Sequence, residues 1–248
     1  MRIFAISDIH GDYEENLKSV SAISDMDYQD DVLLVCGDLS HKLPLLCTIL
    51  ETLKAKFNRV FFVPGNHDVW LDQNDFEHSL TKFEQLLNRV HEYGIETTPC
   101  RLGNVVLLPI FSWYDYSFAI PEDYHKAIWS DITRCKWPLD MDALTTHFLE
   151  VNQTLPITPE DTVITYSHFV SRLDILPQRL LDKFPYIVPF LGSHRIDAQI
   201  RKFQSQIHVF GHFHYNLKVE KDGILYINNA LGYPAEGRRF DTLLYNIA

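Results

Sequence analysis

The chain has 248 residues, of which 46% are hydrophobic and 22% are charged, as is usual for a soluble globular protein. The net charge of −11 argues against a nucleic-acid partner, because Lys and Arg supply most of the affinity for a phosphate backbone. No apolar run is long enough to span a bilayer, and the N-terminus lacks a signal-peptide core. The four cysteines are scattered, without a C-x-x-C pair, so we expect no disulfide framework and a reducing, cytoplasmic setting.

In chain order, short apolar runs alternate with segments of helical spacing. Strands are predicted at residues 2–7, 32–36, 60–63 and 105–109, and helices at 44–56, 77–93 and 142–153. Asp12, with Glu15 three residues later, predicts a helix cap. Further strands are expected at 206–210, 216–220, 224–228 and 242–246, with a hairpin turn at 221–223. The pattern predicts an α/β fold with a mixed sheet, or with two sheets packed together.

Between residues 111 and 160 the pattern is looser and rich in aromatic residues. Aromatic side chains commonly line ligand pockets, which favours a cap over a site. A surface-packed insertion is the alternative. We therefore predict a single domain over residues 1–248 with a cap-like insertion at about 111–160.

Unusual polar residues concentrate in five short segments, each at the end of a predicted strand. In open α/β sheets, ligands bind in the crevice outside the carboxyl ends of the strands. Taken singly, each segment has an ordinary explanation, such as a helix cap, a turn or a buried structural histidine. Together they predict one polar site, formed by Asp8-Ile9-His10, Gly37-Asp38, Gly65-Asn66-His67-Asp68, Ser167-His168 and Gly211-His212-Phe213-His214.

As an ordered set, these motifs resemble those of the calcineurin-like metallophosphoesterase superfamily, and the match extends from residue 8 to residue 214. The resemblance implies a four-layer α/β/β/α sandwich with two mixed β-sheets and a dinuclear metal centre. It also implies hydrolysis of a phosphomonoester or phosphodiester by in-line attack of a hydroxide that bridges the two metal ions.

Carried over by motif position, the resemblance assigns seven metal ligands, with Asp38 shared by the two ions. One ion would be bound by Asp8, His10, Asp38 and His214, and the other by Asp38, Asn66, His168 and His212. Imidazole and oxygen ligands suit divalent or trivalent transition-metal ions such as Mn, Fe or Zn. The carboxylates leave such a pair of ions with a net positive charge, which favours a phosphate-ester substrate.

His67 matches the family's histidine that is not a ligand, so the resemblance makes it the catalytic acid or hydrogen-bond donor. Asp68 is expected either to orient His67 or a neighbouring loop, or to cap a helix. Candidate substrate contacts are Asn66, His67, Arg172, His194 and Arg195, with Arg238 and Arg239 as further phosphate clamps. For Ser193, which precedes His194, a helix N-cap is the simpler explanation.

Two departures from family patterns disfavour two subclasses of the superfamily. Leu39-Ser40-His41-Lys42 follows Gly37-Asp38 where the Ser/Thr protein phosphatases have an acidic residue and Arg, which disfavours that subclass. His67 stands where the lipid-A-pathway pyrophosphatases have Arg, which disfavours them too. The remaining alternatives are a catalytically silent metal-binding scaffold of the same fold and a nuclease of the superfamily. The sequence does not predict the oligomeric state.

Overall fold

The computed structural model describes residues 1–72, 76–236 and 244–247, and its centre consists of two β-sheets. The first sheet has the strand order β10-β1-β2-β3, and β10 is the antiparallel member. It is formed by β1 (Ile3–Ile6), β2 (Val32–Cys36), β3 (Arg59–Val63) and β10 (Tyr245–Asn246). Of the predicted strand at 242–246, residues 245 and 246 form β10, and residues 242 and 243 lie outside the described part of the chain.

The second sheet has the order β4-β5-β6-β7-β9-β8, in which β4 and β8 are antiparallel to their neighbours. Its strands are β4 (Cys100–Leu102), β5 (Val105–Pro109), β6 (Thr162–Tyr166), β7 (Ile207–Phe210), β8 (Leu217–Lys221) and β9 (Ile224–Asn228). Asp222 and Gly223 join β8 to β9, both with positive φ, as a two-residue hairpin loop of mirror-image turn type requires. The predicted hairpin is therefore confirmed.

Helices cover the outer face of each sheet, which explains why the parallel strands are apolar on both sides. Leu46, Leu50 and Leu86 pack on the outside of the first sheet, and Phe148 and Ile196 on the outside of the second. The helices are α1 (Glu14–Ser21), α2 (Leu43–Lys56), α3 (Ser79–Glu92), α4 (Asp123–Ile128), α5 (Ser130–Arg134), α6 (Met141–Val151), α7 (Gln178–Lys183) and α8 (His194–Lys202).

The inner faces of the two sheets pack against each other through a third apolar cluster. Leu34 and Phe61 from the first sheet meet Leu107, Ile164 and Val209 from the second. The layers therefore run helix, sheet, sheet, helix, and the predicted four-layer α/β/β/α sandwich with two mixed sheets is confirmed.

One local expectation is wrong. The helix α1 begins at Glu14, and its N-cap residue is Tyr13, which provides no side-chain hydrogen bond. Asp12 instead accepts a hydrogen bond from the Ser40 hydroxyl, so a contact with a distant loop replaces the predicted cap. Ser193, by contrast, caps α8, with its hydroxyl accepting from the Arg195 N–H.

We predict that His208 makes the stability of the fold depend on pH. Its ring is fully buried in β7 and bonded to Thr165 Oγ1 and Ser167 Oγ, and burial lowers its pKa from 6.5 to about 3. The unfolded chain therefore binds a proton that the folded chain excludes between about pH 6.5 and 3. The unfolding free energy of the wild type, compared with that of His208→Gln, should therefore fall as the pH drops below 6.5. The slope is at most about 1.4 kcal/mol per pH unit.

Urea denaturation in a chelating buffer at pH 7.5, 6.5 and 5.5 measures this difference. The histidines of the predicted metal site titrate in both proteins, so the comparison isolates His208. Parallel pH dependence of the two proteins would contradict the prediction.

Candidate metal centre

Parallel strands from both sheets deliver the predicted polar residues to one end of the sandwich. Asp8 and His10 follow β1, and Asp38 follows β2. Asn66 and His67 follow β3, His168 follows β6, and His212 and His214 follow β7. Because all of these strands end at the same side, residues up to 206 positions apart in the chain come together.

A first group of possible ligand atoms comes from Asp8, His10 and His214, whose donor atoms all lie within 4.8 Å of one another. The two histidine Nε2 atoms are 2.9 Å apart, and His214 Nε2 is 3.1 Å from Asp8 Oδ1. Two ligand atoms at metal-bond lengths of about 2.1 Å lie roughly 3 Å apart when they occupy adjacent positions around one ion. The donor set therefore fits a metal ion.

A second group surrounds His168 Nε2. This atom lies 3.4 Å from Asp38 Oδ2, 3.0 Å from Asn66 Oδ1 and 3.2 Å from His212 Nδ1. Asp38 also groups with His10 and His67 within 4.8 Å, so its carboxylate adjoins both sets of donors. Mixed imidazole and oxygen donors are suited to transition metals.

Five of these residues have backbone conformations that are uncommon outside glycine. The φ angles are +52° at Asp8, +44° at His10, +58° at Asp38, +68° at His212 and +50° at His214. Each such residue costs about 1–2 kcal/mol relative to ordinary backbone conformations. The five sharp turns direct the side chains inward, and such strain is typical of functional sites.

The charges within the site are strongly coupled. Burial opposes the ionisation of Asp8 and Asp38. The charge of His214 nevertheless holds the pKa of Asp8 well below its usual range, and the charge of His168 does the same for Asp38. Burial also opposes protonation of His168, yet the charge of Asp38 raises its pKa to about 9. At His212, burial and then the charge of His168 lower the pKa to about 3. Two buried carboxylates thus depend on cationic partners.

Most of the candidate ligands are oriented by a hydrogen bond at the atom that faces away from the donor cluster. Such outer partners fix the tautomer and orientation of metal ligands. The pairs are His168 Nδ1 with Cys36 O at 2.8 Å, His212 Nε2 with Phe190 O at 3.1 Å, His214 Nδ1 with Glu236 Oε1 at 3.0 Å, and Asn66 Nδ2 with Asp131 Oδ1 at 2.8 Å.

His67 lies at the edge of the cluster. Its ring stacks on Trp70 at 3.6 Å between centroids, and its Nε2 is 3.4 Å from the Tyr233 hydroxyl and 3.9 Å from Asp38 Oδ2. Burial lowers its pKa to about 3. The imidazole therefore faces the donor cluster without belonging to either predicted ligand set.

A cavity of about 420 Å³ opens beside His67, within the size range of small-molecule sites. Its lining combines polar side chains, candidate ligands among them, with apolar and aromatic side chains. The cavity is lined by Asp38, Asn66, His67, Trp70, Ile128, Trp129, Ser130, Asp131, Phe184, Tyr186, Ile187, Leu191, His212, Phe213, His214, Tyr233 and Glu236.

Three residues predicted to contact substrate lie elsewhere. Arg172 pairs with Asp174 and Asp222, and Arg195 bonds to Asp142 and Thr146. His194 packs on Phe118, and its backbone N–H donates to Ser117. None of the three is among the residues that line the cavity, whereas Asn66 and His67 are. Arg238 and Arg239 lie outside the described residues.

Three residues at the site were missed from the sequence: Asp131, Tyr233 and Glu236. Tyr233 stacks on His10 at 4.4 Å between centroids, and Glu236 and Asp131 bond to candidate ligands. None of them lies in a strand-end motif. The aromatic density around Asp131 was the one available signal, and it indicated a region rather than a residue.

Comparison with known proteins agrees with the family that the motifs predict. The family model described as calcineurin-like phosphoesterase matches residues 1–216. The chain belongs to the calcineurin-like phosphoesterase family. The predicted resemblance is thereby confirmed, and with it the coarse function of a phosphoesterase in a family that uses divalent metal ions.

Two curated relatives of this calcineurin-like phosphoesterase align over nearly its whole length. The [acyl-carrier-protein] phosphodiesterase PptH of Mycobacterium tuberculosis is 26% identical, with 96% of this chain and 79% of the relative covered. The uncharacterized protein L509 of Acanthamoeba polyphaga mimivirus is 23% identical, with 99% and 96% covered.

A solved structure, that of phosphopantetheinyl hydrolase (PptH) from M. tuberculosis, superposes with a TM-score of 0.78. It is 21% identical in sequence, and the match covers 99% of this chain and 95% of the other. This similarity shows a shared fold.

Within the described residues, no helix is long and apolar enough to cross a membrane.

We predict that Asp68 stabilises the loops that carry the candidate ligands. Its buried carboxylate accepts from the backbone N–H groups of Gly65, Asp38, Leu39 and Ser40 at 2.8–3.1 Å. It therefore orients a neighbouring loop, one of the roles expected from the sequence. Asp68→Asn places an NH₂ group against two of these donors and should lower the unfolding free energy by about 2 kcal/mol or more.

Urea unfolding in a chelator at pH 8 tests this effect. That pH lies above the pKa of Asp68, which burial and the charge of Asp38 raise to about 7. Asp123→Asn is the matched control, since the Asp123 side chain is fully exposed. Equal stability of the two variants would contradict the prediction.

Proposed function

We propose that this phosphoesterase contains a dinuclear metal centre and hydrolyses a phosphodiester. The supporting observation is that seven predicted ligand side chains converge in two adjoining groups of buried donor atoms. Asp8, His10, Asp38 and His214 would hold one ion, and Asp38, Asn66, His168 and His212 the other. Mn, Fe and Zn are the ions for which such donors are best suited.

When bound, two such ions lower the pKa of water and stabilise negative charge on phosphate oxygens. The two carboxylates, Asp8 and Asp38, balance only part of their charge, so an anionic ester is attracted to the site. The histidines and Asn66 are neutral donors that leave this net positive charge in place.

Because its lowered pKa leaves the imidazole neutral at neutral pH, His67 is proposed to act as a hydrogen-bond donor to the leaving-group oxygen. Its Nε2 faces the cavity next to Asp38, and Trp70 holds one face of its ring. The Tyr233 hydroxyl, 3.4 Å away, limits its movement on the other side. A hydrogen-bond donor that is fixed before the substrate binds loses no further orientational freedom during the reaction.

The apolar part of the cavity lining favours a diester with one extended organic arm. It includes Phe184, Ile187 and Leu191, which would contact an arm attached to the phosphate. PptH, which is named both an acyl-carrier-protein phosphodiesterase and a phosphopantetheinyl hydrolase, acts on such a compound by name. We therefore propose a phosphopantetheine arm joined by a phosphodiester to a carrier protein as the substrate.

Residues 111–160 are proposed to form a cap-like insertion within one domain spanning residues 1–248. Trp129 and Asp131 of this segment line the cavity, while Trp113 and Tyr114 are buried against the second sheet. The segment thus joins the main core at its base and the cavity at its edge. A reducing, cytoplasmic setting stays a prediction, and all four cysteines are free thiols.

The central test combines elemental analysis with hydrolysis assays. We expect about two Mn²⁺ per chain after loading, and turnover of bis-p-nitrophenyl phosphate exceeding that of p-nitrophenyl phosphate. Asp38→Ala should lose both metal and turnover. His67→Ala should keep both ions and lose roughly 10²–10³-fold in kcat, the usual cost of removing a positioned hydrogen-bond donor.

Absence of bound metal after loading would refute the proposal. Two bound ions without hydrolysis of either ester or of a phosphopantetheinylated carrier protein would favour the scaffold alternative. Cleavage of single- or double-stranded DNA would favour the nuclease alternative.

The proposed arm is tested with two neighbouring substitutions. Ile187 and Val188 are both partly buried in the same segment, but only Ile187 lines the cavity. Ile187→Ala should raise KM for a phosphopantetheinylated carrier protein roughly tenfold, because an apolar contact with the arm is lost. KM for bis-p-nitrophenyl phosphate, which has no such arm, should stay unchanged.

Val188→Ala is the matched control and should leave both KM values unchanged. Equal effects of the two substitutions on the carrier-protein substrate would show that the arm lies elsewhere.

A further inference from the structure

A buried carboxylate in the insertion, Asp131, touches the candidate metal centre from outside. The side chain is on α5 and only 2% of the residue is exposed. It accepts hydrogen bonds from Asn66 Nδ2 at 2.8 Å, Trp70 Nε1 at 2.6 Å and Trp129 Nε1 at 2.8 Å. Burying a carboxylate is costly, and here three donors converge on it to offset that cost.

The bond to Asn66 decides which end of its amide faces the donor cluster. A carboxylate without its proton can only accept, so it binds the NH₂ group and leaves the amide oxygen pointing the other way. That oxygen lies 3.0 Å from His168 Nε2. Amide oxygen is the metal-binding end of Asn, because the amide nitrogen has no available lone pair.

The other two bonds reach the residues around the reacting position. Trp70 stacks on His67, so fixing its indole fixes the surface against which the His67 ring rests. Trp129 stacks on Phe190 at 4.7 Å, and the Phe190 carbonyl lies 3.1 Å from His212 Nε2. A single side chain of the insertion therefore contacts the surroundings of two candidate ligands and of His67.

We propose that Asp131 is a positioning residue that sets the amide of Asn66 for the second metal ion and thereby couples residues 111–160 to the metal centre. This inference rests on the proposed function, in which Asn66 is a ligand of that ion. It assigns to the insertion a role in metal binding in addition to its contribution to the cavity wall. The first ion, held by residues that Asp131 does not touch, is independent of it.

The variant Asp131→Leu tests this role because it keeps the approximate size of the side chain and removes both acceptor oxygens. The Asn66 NH₂ group then has no acceptor behind it, and the orientation of the amide is no longer fixed. Mn²⁺ binding is measured by calorimetry and by electron paramagnetic resonance, which distinguishes a coupled pair of ions from a single one. We expect the affinity for the second Mn²⁺ to fall about 10–100-fold, the usual effect of losing an outer-shell partner.

The affinity for the first Mn²⁺ should remain that of the wild type, which a general loss of structure would not allow. Trp129→Phe is the matched control: it removes one hydrogen bond to Asp131 but leaves the bond to Asn66, so both Mn²⁺ affinities should be retained. The conservative variant Asp131→Asn can keep its amide oxygen at the position that accepts from both Asn66 and Trp70, with its NH₂ group toward Trp129. It should retain most of the affinity for the second ion.

The outcomes separate this inference from the function on which it rests. Failure of the wild type to bind two Mn²⁺ ions would overturn both. Two ions in the wild type, with unchanged or equally weakened binding of both in Asp131→Leu, would overturn the positioning role alone. A selective loss at the second ion that is equally large in Asp131→Asn would also overturn it.

Discussion

The structure depends on bringing two buried carboxylates, those of Asp8 and Asp38, together with four imidazoles at one end of the two sheets. Such a cluster is unfavourable unless positive charge lies within it, because burial penalises an ionised carboxylate. In the absence of metal, protons on His168 and His214 fill that requirement, as their raised pKa values indicate. Metal ions placed between the same atoms would satisfy it more completely.

Holding these groups together requires backbone that ordinary residues avoid. The ligand loops turn through left-handed conformations, and glycine allows the closest approach between them. A Cβ atom at Gly65 would lie 2.2 Å from Asp38 Oδ1, and one at Gly37, where φ is +82°, would lie 2.6 Å from the Gly65 nitrogen. The backbone N–H groups exposed by these turns converge on Asp68. Strain in one part of the site is thus offset by hydrogen bonds in another.

The sheets and the peripheral segments contribute differently to function. The strand ends supply the donors, which define the class of chemistry and are rigid because the strands behind them are fully buried. Trp129 of the insertion and Ile187, between α7 and α8, line the cavity in which the proposed ester would bind. Asp131 belongs to both parts, since it lies in the insertion and contacts Asn66. A change of specificity in such a protein therefore risks a change in metal binding.

The sequence by itself determined what depends on neighbouring residues: buried apolar strands, the hairpin at Asp222-Gly223, and the motifs at strand ends whose resemblance identified the family. Local spacing suffices there because strand periodicity and turn chemistry act over a few residues. Only the tertiary structure decided contacts between distant positions. Asp131 is 65 residues from Asn66, and Tyr233 is 166 residues from His67. Arg172 follows a motif closely, yet it pairs with the neighbouring Asp174 and the distant Asp222 and does not line the cavity. Side-chain direction at such positions depends on the partners that folding brings near, which no local pattern records.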